Sequence, residues 1–399
     1  MKPKILSPSG DWESLRAAVE AGADAVYLGV QGFNMRANAK NFKRSELRKI
    51  VDFCHKNKVE VYVTVNTIVF EDELKKVERI LTKIKESKAD AVITWDFSVI
   101  NLALNMKIPV HISTQMSISN SESLKFFEKL GVESVNLARE CSLKQIKEIK
   151  KKTKLKIETF VHGAMCVAES GRCFTSQFLY NKSANRGDCI QPCRRQYHVK
   201  DVETGKELVL ENRFVMSPKD LCALPILDKL VKTGIDAFKI EGRNRSPEYV
   251  KTVTEVYREA IDAIKSKKFN KKIVNELMKK LETVYNRKFS TGFFLGTPTN
   301  DDWTDIYGSN ATRKKIFVGI VQNYYKKNKA TAVLLQARGL KKGQTIMIQG
   351  PTTGVFEQRL DSIKKDNREL ETAKKGDLVG IETKKLARKN DKVYLIQQQ

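Results

Sequence analysis

The 399-residue chain has no run of apolar residues near the ~20 needed to cross a bilayer, so no part of it reads as a membrane span. It lacks a basic start followed by an apolar stretch and a small-residue cleavage site, so a cytoplasmic protein is expected. Acidic residues are short against basic ones: 47 Asp and Glu face 73 Lys and Arg, a net charge of +26. Several enzyme signatures are missing. No His-Glu-x-x-His marks a zinc protease and no Gly-x-Ser-x-Gly marks a serine hydrolase. The Gly-x-Gly-x-x-Gly turn of an open dinucleotide-binding sheet does not follow the first predicted strand. Cysteine is sparse, with seven residues, yet five of them fall between positions 166 and 222.

Cys166, Cys173, Cys189 and Cys193 crowd one glycine- and proline-bearing stretch, and Cys222 follows; six, fifteen, three and twenty-eight residues separate them in turn. Cys54 and Cys141 stand apart, in or beside predicted helices. Loops of this composition can wrap a metal centre, which a core cysteine does not require. Disulfides fit badly, because they staple short secreted chains. Structural zinc usually shows paired short-spaced hooks. An iron–sulfur cluster takes four thiolates, tolerates irregular spacing and often draws one ligand from a distant segment. Cluster, zinc and redox-active or inert thiols all stay open on spacing alone.

The surplus of positive charge attracts polyanions, nucleic acid first. It is not spread evenly. Residues 313–399 hold 20 Lys and Arg against 8 Asp and Glu, so about a fifth of the chain carries +12 of the +26. That concentration points to a polyanion-binding C-terminal domain.

Short β-rich runs alternate with stretches that carry apolar residues at i, i+3, i+4 spacing. Predicted strands are Lys4–Ser9, Ala25–Val30, Glu60–Asn66, Ala91–Asp96, Pro109–Thr114, Ser134–Ala138, Lys156–His162 and Ala237–Glu241. Gly22, Gly131 and Gly234 each separate a helix from a strand. Eight strands with following helices give the count of a (β/α)8 barrel, an α/β TIM-like fold over residues 1–265, with a cysteine-rich insertion at 164–233 between strands seven and eight. Residues 266–314 read as a helical linker. Residues 315–399 read as a small β-barrel, with Leu340-Lys-Lys-Gly343 and Lys375-Gly-Asp-Leu-Val-Gly380 resembling turns of the second domain of translation elongation factors.

Active sites of such barrels lie at the C-terminal strand ends. Polar residues converge there: Arg36 and Asn41 after strand two, Gln115 after five, Arg139 after six, His162 on seven, and Glu241 and Arg243 after eight. His162, Glu241 and Arg243 are the candidate catalytic groups. Arg36, Asn41, Gln115 and Arg139 are candidate substrate contacts, arginine pairs being suited to bidentate carboxylate binding. Cys166 with His162 superficially resembles a nucleophile and its base, but one reactive thiol does not explain five.

The segments Glu158-Thr-Phe-Val-His162-Gly-Ala-Met-Cys166 and Ser170-Gly-Arg-Cys173, with Ser217-Pro-Lys-Asp220-Leu-Cys222 and Lys239-Ile-Glu-Gly-Arg243, resemble the signature of peptidase family U32, once called collagenase-like. The similarity spans nearly the whole chain and is nearest in pattern to the tRNA-hydroxylating members. The resemblance implies oxygen-independent formation of 5-hydroxyuridine at the tRNA wobble position, with prephenate as hydroxyl donor or co-substrate and a 4Fe–4S cluster. It implies Cys166, Cys173, Cys189 and Cys222 as ligands, with Cys193 as the alternative. Arg194 and Arg195 beside it would face substrate. Other members hydroxylate a ribosomal cytidine or act in pairs, so a second family member is a candidate partner. Neither membrane nor DNA is expected.

Overall fold

A computed structural model describes residues 2–208, 214, 216–366 and 368–399. Seven parallel strands come first: β1 (Lys4–Ser9), β2 (Ala25–Gly29), β3 (Glu60–Thr64), β4 (Ala91–Thr94), β5 (Val110–Ile112), β6 (Ser134–Asn136) and β7 (Lys156–Gly163). The helices between them are α1 (Trp12–Glu20), α2 (Leu47–Lys56), α3 (Leu74–Ser87), α4 (Phe97–Asn105), α5 (Ser121–Leu130) and α6 (Leu143–Lys150). Asp11, Asp96 and Asn120 cap α1, α4 and α5 by accepting backbone N–H bonds, each worth about 1 kcal/mol. In α3 the buried Val77, Ile80, Leu81 and Ile84 mark the face turned to the sheet.

After β7 the chain leaves the barrel. It forms the short helix α7 (Thr175–Tyr180), the hairpin β8 (Val199–Lys200) with β9 (Glu207–Leu208), and β10 (Asp220–Cys222), which runs antiparallel to β7. It returns through α8 (Leu227–Lys232), the barrel's seventh helix, so the excursion ends before the expected residue 233. The eighth barrel strand, β11 (Ala237–Ile240), pairs in parallel with both β7 and β1 and closes the ring. The helix α9 (Pro247–Lys265) follows.

Alternate strand residues point into the lumen. Leu6, Ala25, Tyr27, Tyr62, Ala91 and Ile93 form its apolar half. His111, Ser134, Asn136, Glu158 and Lys239, all buried, make the other half polar.

The stretch expected as a linker belongs to the barrel instead. Helix α10 (Lys271–Glu282) supplies Leu277 and Leu281 to the main core, and Val284 and Phe294 join them from the segments after it and after the strand β12 (Phe289–Ser290), which extends the sheet beside β10. An amphipathic helix needs a surface for its apolar face, and the barrel provides it.

The C-terminal region has a separate core. Its strands lie in the order Gly354–Arg359, Thr345–Gly350, Lys392–Gln398, Arg313–Tyr325, Ala330–Leu335 and Leu378–Glu382. Leu378–Glu382, read from sequence as part of a turn, is a strand paired along Ala330–Leu335. This sheet docks on α1 through Ala17, Met347 and Val355, and on α9 through a Lys315–Glu248 ion pair of 2.9 Å. Among the described residues no helix is long and apolar enough to cross a membrane.

Candidate active site at the barrel mouth

A cavity of about 170 Å³ sits at the C-terminal ends of the strands. The insertion forms its roof and the lumen its floor. Two glycines allow the roof to close. Gly163 has φ +107°, and a Cβ there would meet Glu241 O at 2.5 Å; Gly187 has φ +90°, and a Cβ would meet Asn34 O at 2.3 Å. Arg186 ties the insertion to the start of α3 by pairing with Glu73.

The barrel side of the cavity is cationic. Arg36, Arg139, Lys239 and Arg243 line it, and Glu241 is the carboxylate among them. Arg36 pairs with Glu241 at 3.0 Å. Burial would raise the Glu241 carboxyl, but Arg36, Arg243 and Arg139 together hold it below its usual value. One layer down, Glu158 lies 2.8 Å from His111 Nδ1 and 3.6 Å from Lys239 Nζ. Burial opposes its ionisation, yet Lys239 and His111 bring its pKa down to about 2. Four cations thus face two carboxylates.

The surplus resides in two arginines. Arg243 is 5% exposed; its Nη1 donates to Thr64 Oγ1 (2.8 Å) and Asn34 Oδ1 (3.2 Å), while its Nε has no partner. Burial brings its pKa down to about 10. Arg139 lies over the Phe160 ring at 4.3 Å and makes no hydrogen bond or ion pair among the described residues. Gln115 also lines the cavity, locked to Asn66, whose Nδ2 donates to Gln115 Oε1 at 2.9 Å.

The insertion side carries the thiols. Cys166, Cys173, Cys189 and Cys193 all line the cavity, and all seven cysteines are free. Burial raises the Cys193 thiol, Arg194 lowers it, and Cys166, Cys189 and Cys173 raise it again, so those three sulfurs lie within electrostatic reach of Cys193. Backbone N–H groups of Thr175 and Gln191 donate to the sulfurs of Cys173 and Cys189, each at 3.4 Å. Among the described residues no group of three or more side chains is placed to hold a single metal ion. A cubane spreads its irons over four corners, so its ligands stand further apart than those of one tetrahedral ion. The four thiols that line one cavity supply the donor set a cubane takes.

Two of the expected site residues lie apart from the cavity in this structure. Cys222, expected with the ligands, is 1% exposed and lies 3.9 Å from Tyr257 Oη and 3.8 Å from Met278 Sδ, away from the cavity. His162, expected as a catalytic group, is enclosed by Tyr249, Tyr257 and Phe289, and burial, with Arg245 adding to it, brings its pKa down to about 3. One irregularity explains both. Phe160 pairs with Lys239, but His162 pairs with the next residue, Ile240, so β7 carries an extra residue at Val161. The bulge reverses the alternation and turns His162 outward. Cys222 sits opposite His162 across the β7–β10 pairing, so it faces outward too.

Other expected contacts also lie elsewhere. Asn41 shapes the preceding loop, donating to the carbonyls of Arg36 and Ala39 at 2.9 Å, and does not line the cavity. Arg194 reaches the cavity edge but is occupied by Ser217 Oγ at 3.0 Å and by the carbonyls of Met165 and Pro218. Arg195 lies outside, against Tyr180. Lys239 and Glu158 were not expected. Their signal was a charge in a strand interior, Lys239 within Ala-Phe-Lys-Ile and Glu158 between Ile157 and Thr159.

A parallel barrel whose mouth joins a thiol-rich insertion to buried arginines defines a class, and the comparisons agree with it. Residues 10–304 match the peptidase family U32, and the chain belongs to that family. It is 42% identical to an uncharacterized protease of Methanocaldococcus jannaschii, over 99% of this chain and 98% of that one. It is 39% identical to a collagenase of Porphyromonas gingivalis, over 98% and 97%. It is 36% identical to tRNA hydroxylation protein P1 of Bacillus subtilis, over 94% and 90%. The relatives thus carry names from two different chemistries.

Proposed function

We propose that the protein hydroxylates the wobble uridine of tRNA to 5-hydroxyuridine, without molecular oxygen, with prephenate as co-substrate and a 4Fe–4S cluster held by Cys166, Cys173, Cys189 and Cys193. The observation that carries this reading is a single cavity with four thiols on one wall and an excess of cations on the other. When bound, the cluster supplies one-electron chemistry that these side chains lack. The chain's own residues do the rest. Arg139 and Arg243 have donors left over for a carboxylate, and prephenate carries two. Glu241 keeps Arg36 in place, and the Glu158–Lys239–His111 layer fixes the floor. The lysine-rich C-terminal sheet would hold the tRNA body through phosphates, which gives affinity without sequence information. The target base would be splayed out to reach the mouth.

The relatives' names support an RNA substrate or a peptide one, and the site favours RNA. A thiol peptidase needs a base beside its nucleophile. Among the described residues no histidine lines the cavity.

The test is genetic. The gene is deleted together with any oxygen-dependent bypass enzyme, and tRNA nucleosides are measured from cells grown without oxygen. 5-Hydroxyuridine and its derivatives should vanish, return with the wild type, and stay absent with Cys166→Ala. Unchanged tRNA with an altered ribosomal RNA nucleoside would move the assignment to ribosomal RNA.

A further inference from the structure

Helix α7 stands at the cavity's rim: Thr175, its first residue, lines the cavity, as do Cys173 and Val167. One face is pinned inward. Ser176 is fully buried, its hydroxyl donating to Cys189 Sγ (3.7 Å) and accepting from Ile190 N–H (3.2 Å). That anchorage turns the opposite face to solvent. Phe178 is 84% exposed, Phe174 63% and Leu179 55%. Phe174 and Phe178 are one turn apart with ring centroids 6.2 Å from each other. Arg195 lies over the Tyr180 ring at 4.8 Å and donates to its hydroxyl at 2.7 Å, with no carboxylate partner among the described residues. Large exposed aromatics on one short helix cost solubility and call for an occupant.

Charge indicates which occupant. Residues 164–200 hold six Lys and Arg against two Asp and Glu, so the ledge lies in a positive field. Protein–protein interfaces also gather aromatic residues and arginine, so composition alone does not choose; the positive field and the place beside the cavity mouth favour a polyanion. Rings interleaved with arginines form a platform on which single-stranded bases stack, because every base has a π face. We propose that the outer face of α7 is a stacking ledge for unpaired RNA bases flanking the one that enters the cavity, with Phe174 and Phe178 as platforms and Arg195 on Tyr180 as a cationic edge. The proposal rests on the RNA reading above and specifies where the single strand lies.

The test uses anaerobically isolated, iron-loaded full-length protein and two labelled RNAs: a hairpin with an unpaired loop, and a blunt duplex of the same composition. Phe178→Ala should weaken hairpin binding roughly 5- to 150-fold and leave duplex binding as it was. Iron content should not change. The salt dependence of hairpin binding should keep its slope, since no phosphate contact is removed. Phe178→Trp should restore affinity and Phe178→Leu should not. Hairpin binding by Phe178→Ala at wild-type strength overturns the ledge, as does equal weakening on both RNAs, or full rescue by leucine. A changed oligomeric state in light scattering with unchanged RNA affinity would make α7 a protein-docking face instead. If the wild type binds neither RNA, the RNA reading itself fails and the ledge with it; if it binds and only the variants disagree, the ledge alone fails.

Discussion

Alanine at Cys193 and, separately, at Cys222 distinguishes the two ligand sets that the sequence allows. Cys222 is 1% exposed, packed against Tyr257 and Met278, and its thiol has no strong hydrogen bond to lose. Its replacement removes one buried sulfur. That is a methylene-sized loss of about 0.8 kcal/mol in transfer plus a small cavity term, so about 1–1.5 kcal/mol in all. The melting midpoint should fall by roughly 2–4 °C. Iron and sulfide, assayed after anaerobic isolation, should equal the wild type. Cys193→Ala leaves three thiols in the cavity, and iron should drop to less than half or be lost on gel filtration. Its fold should persist, because Cys193 is partly exposed at the cavity wall. Loss of iron from Cys222→Ala with retention in Cys193→Ala would refute the placement of the cluster in this cavity.

Arg139→Gln should raise the KM for the carboxylate co-substrate about 10- to 100-fold, the range of a charge-assisted hydrogen bond, with little change in the melting midpoint, since among the described residues Arg139 makes no direct ion pair and Glu241 keeps its pair with Arg36. His162 binds a proton in the unfolded chain near its ordinary 6.5 but not in the fold until about 3, so acid favours unfolding across that window. Between pH 6.5 and 4.5, His162→Phe should therefore lose about 2–3 kcal/mol less stability than the wild type in denaturant melts, and it should retain both iron and hydroxylation. Glutamine at Lys326, Lys327 and Lys329 should flatten the salt dependence of tRNA binding by about 0.7–0.9 in slope for each residue that meets a phosphate; an unchanged slope would place the RNA grip elsewhere.

The barrel was legible because its signals are local and repeated. Phe97–Asn105, Ser121–Leu130 and Pro247–Lys265 are helices in stretches between or after the expected strands, as the alternation of the two patterns implied. The convergence of Arg36, Gln115, Arg139, Glu241 and Arg243 followed from counting strand ends, and these five do share one cavity. Side-chain placement was not legible where one residue changes a face. The extra residue at Val161 leaves no mark in composition, yet it turns His162 outward and Cys222 with it. Three residues of β10 are too few for alternation to show. Lys239, Glu241 and Arg243 recur at period two along the eighth strand and its continuation, a pattern that could have flagged the lumen lysine. The linker was misread because burial of α10 depends on a surface distant in sequence.

The central claim is that this cavity modifies RNA and does not cut peptides. The most direct measurement incubates anaerobically isolated holoprotein with unmodified tRNA and prephenate, and in parallel with denatured collagen, followed by nucleoside and peptide analysis. The account predicts 5-hydroxyuridine that requires both prephenate and Cys193, with collagen left intact. Specific cleavage of collagen by iron-free protein, with the tRNA unmodified, would contradict it.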